Sequence, residues 1–293
     1  MKEDIIQEIT PLEKHDFMYV ADRRKAEFDY PMHWHDLFEL NYVENAEGCE
    51  RIVGDSVETI GNYDLVLVTS PSLVHSWMQN DDKKRDIHEI TIQFALDYEN
   101  SPFFDSNPMR SIKQMFIRAQ RGLAFPMPAI MTVYDRLVHL SEIKEGFLAL
   151  VELFHILYAL SKFDDARELS TSTFANATHR SDDGRIVTVK DYILDHYREE
   201  IRLEQLSRMV SMSPTAFSRF FKQRTGKTLA EYIVNVRLGH AARQLIDTKE
   251  PVSQICYDCG FNTLSNFNRL FRLRRGCSPT EFRDKYAKTK VIV

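Results

Sequence analysis

An internal repeat in the last hundred residues constrains the fold of this 293-residue chain more than any other feature. Residues 201–232, shifted by fifty positions, resemble residues 251–282. The matching positions of the first copy are Phe217, Arg219, Phe221, Arg224, Gly226 and Glu231, which meet Phe267, Arg269, Phe271, Arg274, Gly276 and Glu281. Upstream, the shift is forty-nine and pairs Leu206 with Ile255, so the second copy has one extra residue in its turn. A repeated segment of this kind predicts a repeated supersecondary unit.

Each copy has the pattern of two helices joined by a short turn. In the first copy, Ser213 is a suitable N-cap and Pro214 suits the first position of the second helix. Helical periodicity places aromatic or aliphatic residues on one face, namely Phe217, Phe220, Phe221 with Arg224 in the first copy and Phe267, Leu270, Phe271 in the second. The opposite faces are polar or basic and consist of Thr215, Ser218, Arg219 and Lys222, and of Ser265, Asn268, Arg269 and Arg272.

These polar faces have the chemistry of a helix that enters the major groove of DNA. We expect Thr215, Ser218 and Arg219 in the first copy, and Ser265, Asn268 and Arg269 in the second, to contact base edges. Lys222 and Arg272 are expected to contact phosphates. Any amphipathic helix has a polar face, but two copies with the same chemistry favour DNA. Residues 229–246 are predicted to form one connecting helix of about 27 Å, which suits two successive major grooves spaced by about 34 Å.

Charge is distributed unevenly along the chain. Residues 185–293 contain 20 Lys and Arg against 11 Asp and Glu, whereas residues 1–184 contain 18 against 32. The net charge of −5 therefore conceals a basic C-terminal part joined to an acidic remainder. This balance is typical of a polyanion-binding module attached to a part that does not contact the polyanion.

Residues 187–287 resemble the DNA-binding domain of the AraC/XylS family. The resemblance rests on the repeat, on the Gly260-Phe261 turn and on the Gly276-x-Ser278-Pro279 ending, with Cys256 where the family favours alanine. It implies two helix-turn-helix units behind a variable N-terminal domain that senses a small molecule and often dimerises. It also implies a transcription regulator, more often an activator, for which RNA polymerase is a further partner.

The N-terminal part predicts a different architecture. Short runs over residues 27–95, separated by turn signals such as Gly54-Asp55 and Gly61-Asn62, indicate a small β-barrel or sandwich, and helices are predicted near 108–120, 128–143 and 146–163. The predicted fold is multidomain α and β. Its parts are a cupin-like effector-binding barrel over 1–105, a helical dimerisation segment over 106–165, a flexible linker over 166–185, and an all-α DNA-binding domain over 186–293.

The barrel segment resembles the cupin-like sensory barrel common in that family. His33, His35 and Glu39, with the distant His75, have the His-x-His-x3-Glu spacing of metal-binding cupins, and three imidazoles with a carboxylate suit a transition metal. Effector binding and simple packing are the alternatives, and the glycines that flank enzymatic motifs are mostly absent. We therefore assign these four residues to an effector pocket and predict no metal, no cofactor and no catalytic residue. The Cys256-x-x-Cys259 pair is expected to be ordinary helix packing.

The resulting hypothesis is a sequence-specific, effector-controlled transcription regulator that binds double-stranded DNA as a homodimer. Four cysteines in this length make no disulfide framework, and no signal peptide or membrane span is expected, so the predicted location is the cytoplasm. Two alternatives remain open at this point. One is a cupin metalloenzyme fused to a DNA-binding module, and the other is an architectural DNA-binding protein without an effector.

Overall fold

The computed structural model describes residues 5–8, 10, 12, 16–28, 30–71, 73–79, 81–171, 184–225, 227–275, 277–286 and 291–292. These residues form two compact units, one built mainly from residues 16–171 and the other from residues 184–286. Within the described ranges, no helix combines the length and the apolar character that a membrane span requires.

The first unit contains two β-sheets that face each other, and we call this double layer the barrel. Its strands in chain order are β1 (Ile6–Gln7), β2 (Met18–Lys25), β3 (His33–Trp34), β4 (Phe38–Glu44), β5 (Glu50–Val53), β6 (Ser56–Thr59), β7 (Tyr63–Val68), β8 (His75–Met78), β9 (Ile87–Phe94), β10 (Leu123–Ala124), β11 (Arg167–Glu168) and β12 (Val291–Ile292). One sheet has the order β1-β3-β8-β5-β6, and the other has the order β11-β10-β7-β4-β9-β2-β12. Apart from the parallel pair β1 and β3, the strand pairs are antiparallel.

Helices cover the outer face of the larger sheet. They are α1 (Pro102–Asp105), a short 3-10 turn (Asn107–Met109), α2 (Arg110–Ala119), α3 (Met127–Leu140) and α4 (Gly146–Leu160). Strand β4 is buried along its whole length because its two faces meet different partners. Leu40 and Tyr42 point outward and join the apolar core that the sheet shares with the helices. Glu39 and Asn41 alternate with them along the strand, so they point into the barrel, where they are also buried.

The predicted strands and helices of this unit agree with the structure, but two predicted boundaries do not. The boundary at residue 105 separates no compact units, since α2, α3 and α4 share one core with the sheet and β10 extends that sheet. The predicted linker over 166–185 begins too early, because Arg167 and Glu168 pair with β10 and the hydroxyl of Ser170 donates to Asp55 Oδ1 at 2.8 Å. Residues 172–183 of that linker lie outside the described residues, and Gly184 is already helical.

The second unit is helical throughout its described residues. Its helices are α5 (Gly184–His196), α6 (Leu203–Met209), α7 (Pro214–Thr225), α8 (Leu229–Asp247), α9 (Val252–Asp258), α10 (Leu264–Arg275) and α11 (Pro279–Tyr286). The long helix α8 packs against both copies of the repeat. Its Tyr232 ring lies 5.4 Å from the ring of Phe221, while Ala241 and Leu245 share a core with Phe267 and Phe271.

The shift along the repeat is confirmed by the helix bounds. Helices α6 and α9 are offset by forty-nine residues and helices α7 and α10 by fifty, so the second turn is one residue longer. Ser211 and Gly260 occupy equivalent places in the two turns, and both have positive φ, 54° and 80°. Gly226 and Gly276, which the repeat also pairs, lie outside the described residues.

The helix starts of the two copies are capped by the same chemistry. The hydroxyls of Ser213 and Thr263 each accept the backbone N–H three residues ahead, at 3.3 Å. Helix α8 begins with a reciprocal capping box between Thr228 and Glu231, and Ser278 with Glu281 repeats it at the start of α11. Local sequence therefore determines where these four helices begin.

Candidate functional site

Helices α7 and α10 are anchored by pairs of phenylalanines. Phe217 and Phe221 are fully buried in the first copy, as are Phe267 and Phe271 in the second. The ring centroids within each pair are 5.7 Å and 5.6 Å apart. Aromatic anchors at i and i+4 fix the rotation of each helix about its axis, which determines the residues that the other face presents.

All eight residues predicted to contact DNA are exposed. They are Thr215, Ser218, Arg219 and Lys222 on α7, and Ser265, Asn268, Arg269 and Arg272 on α10. Two of the arginines have neighbours on their own unit. Arg269 Nη2 donates to Asn266 Oδ1 at 3.0 Å, and Arg272 Nη2 lies 3.9 Å from Glu281 Oε2 in a largely exposed ion pair. Exposed pairs of this kind are weak, so either side chain can exchange its partner for a nucleic acid.

One residue of the predicted inward face is not inside. Arg224 is exposed, and its guanidinium carbon lies 5.8 Å from the centroid of the Phe220 ring. Phe220 is itself only half-buried, so the arginine stem follows the ring outward and its charged end reaches solvent. The apolar face of α7 is therefore narrower than the sequence predicted.

Sequence reasoning missed part of the surface beside α10. Ser278 and Thr280, at the start of α11, line an open groove together with Asn268, Arg269 and Arg272. The Ser-x-x-Glu pattern of a capping box could have located Ser278 at a helix start. No sequence signal placed it beside the basic face, because that depends on how α11 packs against α10.

The two cysteines of the Cys256-x-x-Cys259 pair lie in the core. Both are fully buried beside Phe261 and Phe267. Burial raises the pKa of both thiols, that of Cys259 to about 12, so both stay protonated at neutral pH. The packing role predicted from their spacing agrees with this environment.

The four residues assigned to the N-terminal pocket come together inside the barrel. His33 on β3 and His75 on β8 are cross-strand partners in the smaller sheet, His35 follows two residues later, and Glu39 faces them from β4 of the larger sheet. One donor atom from each lies within 4.8 Å of those of all the others, and all four residues are buried. Two sheets are needed to assemble this cluster, which we call the histidine cluster.

Backbone carbonyls orient the three imidazoles. The Nδ1 atoms of His33, His35 and His75 lie 2.9, 2.9 and 2.8 Å from the carbonyl oxygens of the residues two positions away. A carbonyl oxygen only accepts, so each Nδ1 carries a hydrogen. Nε2 then presents a lone pair in a neutral ring, whereas His35 Nε2 lies 2.9 Å from Glu39 Oε2 and donates to that carboxylate when the ring is protonated. The three Nε2 atoms therefore face the interior of the cluster.

The carboxylate of Glu39 is the electrostatic centre of the cluster. Oε2 lies 2.9 Å from His35 Nε2 and accepts from Gln93 Nε2 at 2.8 Å. Burial acts to raise the pKa of Glu39, but the His75 imidazole 3.6 Å away and the hydrogen bond from His35 hold that pKa well below its usual range. Burial acts to lower the pKa of His35, but the hydrogen bond to Glu39 outweighs this effect, and the pKa of His35 is raised. His33 has no such bond, and burial with the nearby charge of His75 lowers its pKa to about 4.

Two further residues belong to this site and were missed from the sequence. The Gln93 amide on β9 bridges Glu39 and Glu8, which it reaches at 2.9 Å. Glu8 Oε2 lies 3.7 Å from His33 Nε2, and its backbone N–H donates to the Trp34 carbonyl at 2.8 Å, directly after β1. A two-residue strand in a mixed polar stretch has no periodicity, so no pattern pointed to Glu8.

Comparison with known proteins identifies the helical unit. A family model described as a helix-turn-helix domain matches residues 206–285. The transcriptional activator RhaS of Enterobacter sp. is 35% identical over 103 residues, and the activator RhaR of Mannheimia succiniciproducens is 33% identical over 90. The C-terminal part of the chain is therefore similar to the helix-turn-helix domain that these two activators contain. The matches span 35% and 31% of this chain, and only 37% and 33% of the length of those two activators.

Solved structures extend the likeness to the whole fold. ToxT from Vibrio cholerae matches with a TM-score of 0.60 over 92% of this chain and 99% of that one, at 14% identity. A second ToxT structure, of an apo variant, gives 0.61 over 94% of this chain and all of the other. At such low identity the comparison establishes the fold alone, a β-rich N-terminal part and a helical C-terminal part.

Proposed function

We propose that the chain is a sequence-specific DNA-binding transcription regulator, more often an activator than a repressor, whose N-terminal barrel responds to an effector. The main support is the pair of exposed, basic helix faces that the two copies of the repeat present in the same way. The activators RhaS and RhaR share this C-terminal domain. A regulator of this kind acts in the cytoplasm, where RNA polymerase is a further partner.

In this proposal Arg219 and Arg269 contact guanine edges, with Thr215, Ser218, Ser265 and Asn268 beside them. Lys222 and Arg272, one turn further along, contact phosphates. The short polar side chains next to each arginine leave the backbone free to approach the groove, and a guanidinium reaches two acceptors of one guanine. The two helices would then occupy two successive major grooves.

We expect Arg219→Ala and Arg269→Ala each to weaken binding to the preferred site by about 1–3 kcal/mol. The preferred site is first selected from randomised duplexes, and affinities for it and for a scrambled duplex are then measured at fixed salt. Binding to the scrambled duplex should change little, because base contacts contribute little to it. Lys222→Ala should instead weaken binding to the two duplexes by the same factor. It should also make the affinity depend less steeply on salt concentration.

Arg110→Ala, an exposed arginine of the first unit, is the matched control and should leave both affinities unchanged. Equal losses on the selected and scrambled duplexes would assign Arg219 and Arg269 to the phosphate backbone and contradict the proposed base contacts.

The barrel is the proposed sensory element, and its interior is polar where an effector would bind. Glu39, Asn41, Thr91 and Gln93 form a buried polar stripe opposite the histidines. Asn41 Nδ2 donates to Thr91 Oγ1 at 3.2 Å, but Asn41 Oδ1 and Gln93 Oε1 are buried without a hydrogen-bond partner. A buried acceptor without a hydrogen-bond donor lowers the stability of the fold. An effector that is cationic or carries hydrogen-bond donors would supply the missing partners.

A homodimer through the helices of the first unit is also proposed. Three large apolar side chains of these helices are about half exposed: Leu148 (55%) and Tyr158 (50%) on α4, and Phe103 (56%) on α1. Exposed apolar side chains that lie together are typical of an interaction surface. Phe103 and Tyr158 line one open groove between the helices. A second copy of the chain is the simplest occupant of these exposed apolar positions.

We expect Leu148→Arg to raise the dimer dissociation constant at least about tenfold, since a charge would be buried in the interface. Analytical ultracentrifugation measures it. The control is Val57→Arg, which places the same charge at an equally exposed apolar position on β6, away from the helices. A dimer dissociation constant that Leu148→Arg leaves unchanged would exclude this helix face as the dimer interface.

A cupin metalloenzyme joined to a DNA-binding domain is the second candidate, which the histidine cluster favours. We rank it below the regulator because the relatives that share the C-terminal domain are named as transcription activators. The two candidates differ in one measurable respect. A regulator requires that occupancy of the barrel changes affinity for the selected duplex, and a tethered enzyme does not.

A further inference from the structure

Residues 166–171, from which the chain continues toward the helical unit, are fastened to the barrel, and we call this segment the strap. Its strand β11 pairs with β10. The backbone N–H groups of Leu169 and Ser170 donate to the carbonyl oxygens of Gly122 and Arg121 at 2.9 and 2.8 Å. The strap therefore determines where the connection to the helical unit starts.

Asp55, in the turn between β5 and β6, is the first anchor of the strap. Its Oδ1 accepts from Ser170 Oγ at 2.8 Å and from the Thr171 N–H at 2.9 Å, and its Oδ2 accepts from Thr171 Oγ1 at 2.7 Å. The preceding Gly54 has φ of 60°, and a Cβ there would overlap the fully buried side chain of Ser170. The close approach of the strap to this turn therefore requires a glycine at position 54.

Glu58 on β6 is the second anchor. Arg167 Nη1 donates to Glu58 Oε1 at 2.7 Å and Arg167 Nη2 donates to Oε2 at 2.6 Å, which makes a two-pronged ion pair. The Arg167 side chain is mostly exposed, so this pair alone would stabilise the strap little. Its strength depends on how firmly the Glu58 carboxylate is held.

Arg51 holds the Glu58 carboxylate from inside the barrel. The buried Arg51 Nη2 lies 2.6 Å from the same Oε2 atom that Arg167 contacts. The guanidinium also bonds to Asp64, which accepts from Trp77 Nε1 at 2.9 Å. A buried guanidinium with two carboxylate partners has little freedom to move. It therefore fixes Glu58 in the position that Arg167 needs.

The same contacts lead toward the histidine cluster. Arg51 and Trp77 are partners on the paired strands β5 and β8, and the Trp77 ring lies 6.3 Å from the ring of His75. Arg51 Nε is buried and has no hydrogen-bond partner among the described residues. A group inside the barrel that accepts a hydrogen bond from this N–H would compete with Glu58 for the guanidinium.

We propose that residues 166–171 are a releasable strap, with Asp55 and Glu58 as its anchors and Arg51 as the residue that positions Glu58 and couples the strap to the barrel interior. Drawing Arg51 away from Glu58 weakens the second anchor and frees the strap. Release adds the strap residues to the connection and extends its reach by about 20 Å. The anchoring follows from contacts within the first unit, whereas its use by an effector rests on the proposed function.

Amide hydrogen exchange of the full chain tests the anchors. We expect Asp55→Ala and Glu58→Gln each to speed exchange of the Leu169 and Ser170 amides at least about tenfold, because fewer bonds then oppose local opening. Exchange in β4 should stay unchanged, which separates release of the strap from a general loss of stability. Asp81→Ala is the matched control, since Asp81 is also an exposed aspartate that accepts hydrogen bonds in a loop, between β8 and β9. Strap exchange as slow in both anchor variants as in the natural chain would overturn the proposal.

Arg51→Lys tests the coupling to the barrel interior. Lysine keeps a cation beside Asp64 but lacks the fork that contacts two carboxylates at once. We expect exchange of the strap, relative to that of β4, to rise at least about fivefold, and to rise no further when Glu58→Gln is already present. Strap exchange that Arg51→Lys leaves unchanged, or effects of the two substitutions that simply add, would overturn the positioning role of Arg51.

Binding to DNA separates the strap from the proposed regulator. In a homodimer, a longer connection lowers the effective concentration of the second DNA-binding unit. Asp55→Ala should therefore weaken binding to a duplex with two copies of the selected site at least about threefold, and leave binding to a duplex with one copy unchanged. A strap that opens without altering either affinity would overturn its regulatory role. A chain with no preferred duplex would disprove the proposed function and leave the strap standing.

Discussion

Replacing Gly260 by alanine should destabilise the second unit by about 3–5 kcal/mol, from left-handed backbone strain and overpacking together. Gly260 has φ of 80°. A Cβ there would lie 2.8 Å from the carbonyl oxygen of Arg198 and 2.9 Å from that of Tyr197. These carbonyls cannot retreat easily, because Tyr197 O also accepts from Arg237 Nε at 2.7 Å. Urea unfolding, monitored through amide hydrogen exchange in α9 and α10, measures the loss in the free energy of unfolding.

Two substitutions serve as controls for Gly260→Ala. Gly184→Ala, in α5, adds a methyl group where no atom lies within 4 Å and should be nearly neutral or slightly stabilising. Ser211→Gly relieves the equivalent turn of the first copy, where an exposed serine has φ of 54°, and should stabilise by about 1 kcal/mol. A Gly260→Ala protein as stable as the natural chain would mean that the contact with residues 197 and 198 is not tight.

Replacing Arg51 by methionine should cost about 3–5 kcal/mol, because it leaves a buried carboxylate without its cation. Arg51 on β5 bonds to Asp64 on β7, so this ion pair joins the two sheets of the barrel. It also pairs with Glu58 at 2.6 Å. After substitution, the Asp64 carboxylate would keep its side-chain hydrogen bond from Trp77 Nε1, at 2.9 Å, but would have lost the cation that pairs with it. Thermal and urea unfolding of the first unit measure the effect.

Arg167→Met is the matched control for Arg51→Met. Arg167 pairs with the same Glu58 at 2.6 Å, but its side chain is 59% exposed, so its loss should cost less than about 1 kcal/mol. Adding Asp64→Asn to Arg51→Met should recover part of the stability, since no buried charge then remains unpaired. Equal costs for the two arginines would contradict the argument from burial.

Local patterns in the sequence predicted the second unit well. The second helix of each copy starts at a capping residue and turns a phenylalanine pair inward, and both signals lie within one or two turns of the chain. The exposed positions of Arg219 and Arg269 followed from them. Arg224 was the exception, because its place depends on the half-buried Phe220 ring rather than on helical period.

The barrel was less predictable because its site depends on distant pairings. Strand β2 was missed since its second half, Asp22 to Lys25, is charged, although Asp22 is satisfied by His88 and Ser141. The spacing of His33, His35 and Glu39 suggested a cluster. Nothing local could place Glu8 beside His33, because that requires a parallel pairing of two very short strands.

The shared helix α8 has a consequence for the DNA that this chain would select. One 19-residue helix belongs to the cores of both helix pairs, so it couples the positions of the exposed faces of α7 and α10. Inserting a single base pair between the two recognised sequences would rotate one of them by roughly 35° and displace it by about 3.4 Å. If α8 keeps its length on DNA, we expect an operator for this chain to have one preferred spacing between its two recognised sequences, and that spacing is set by the length of α8.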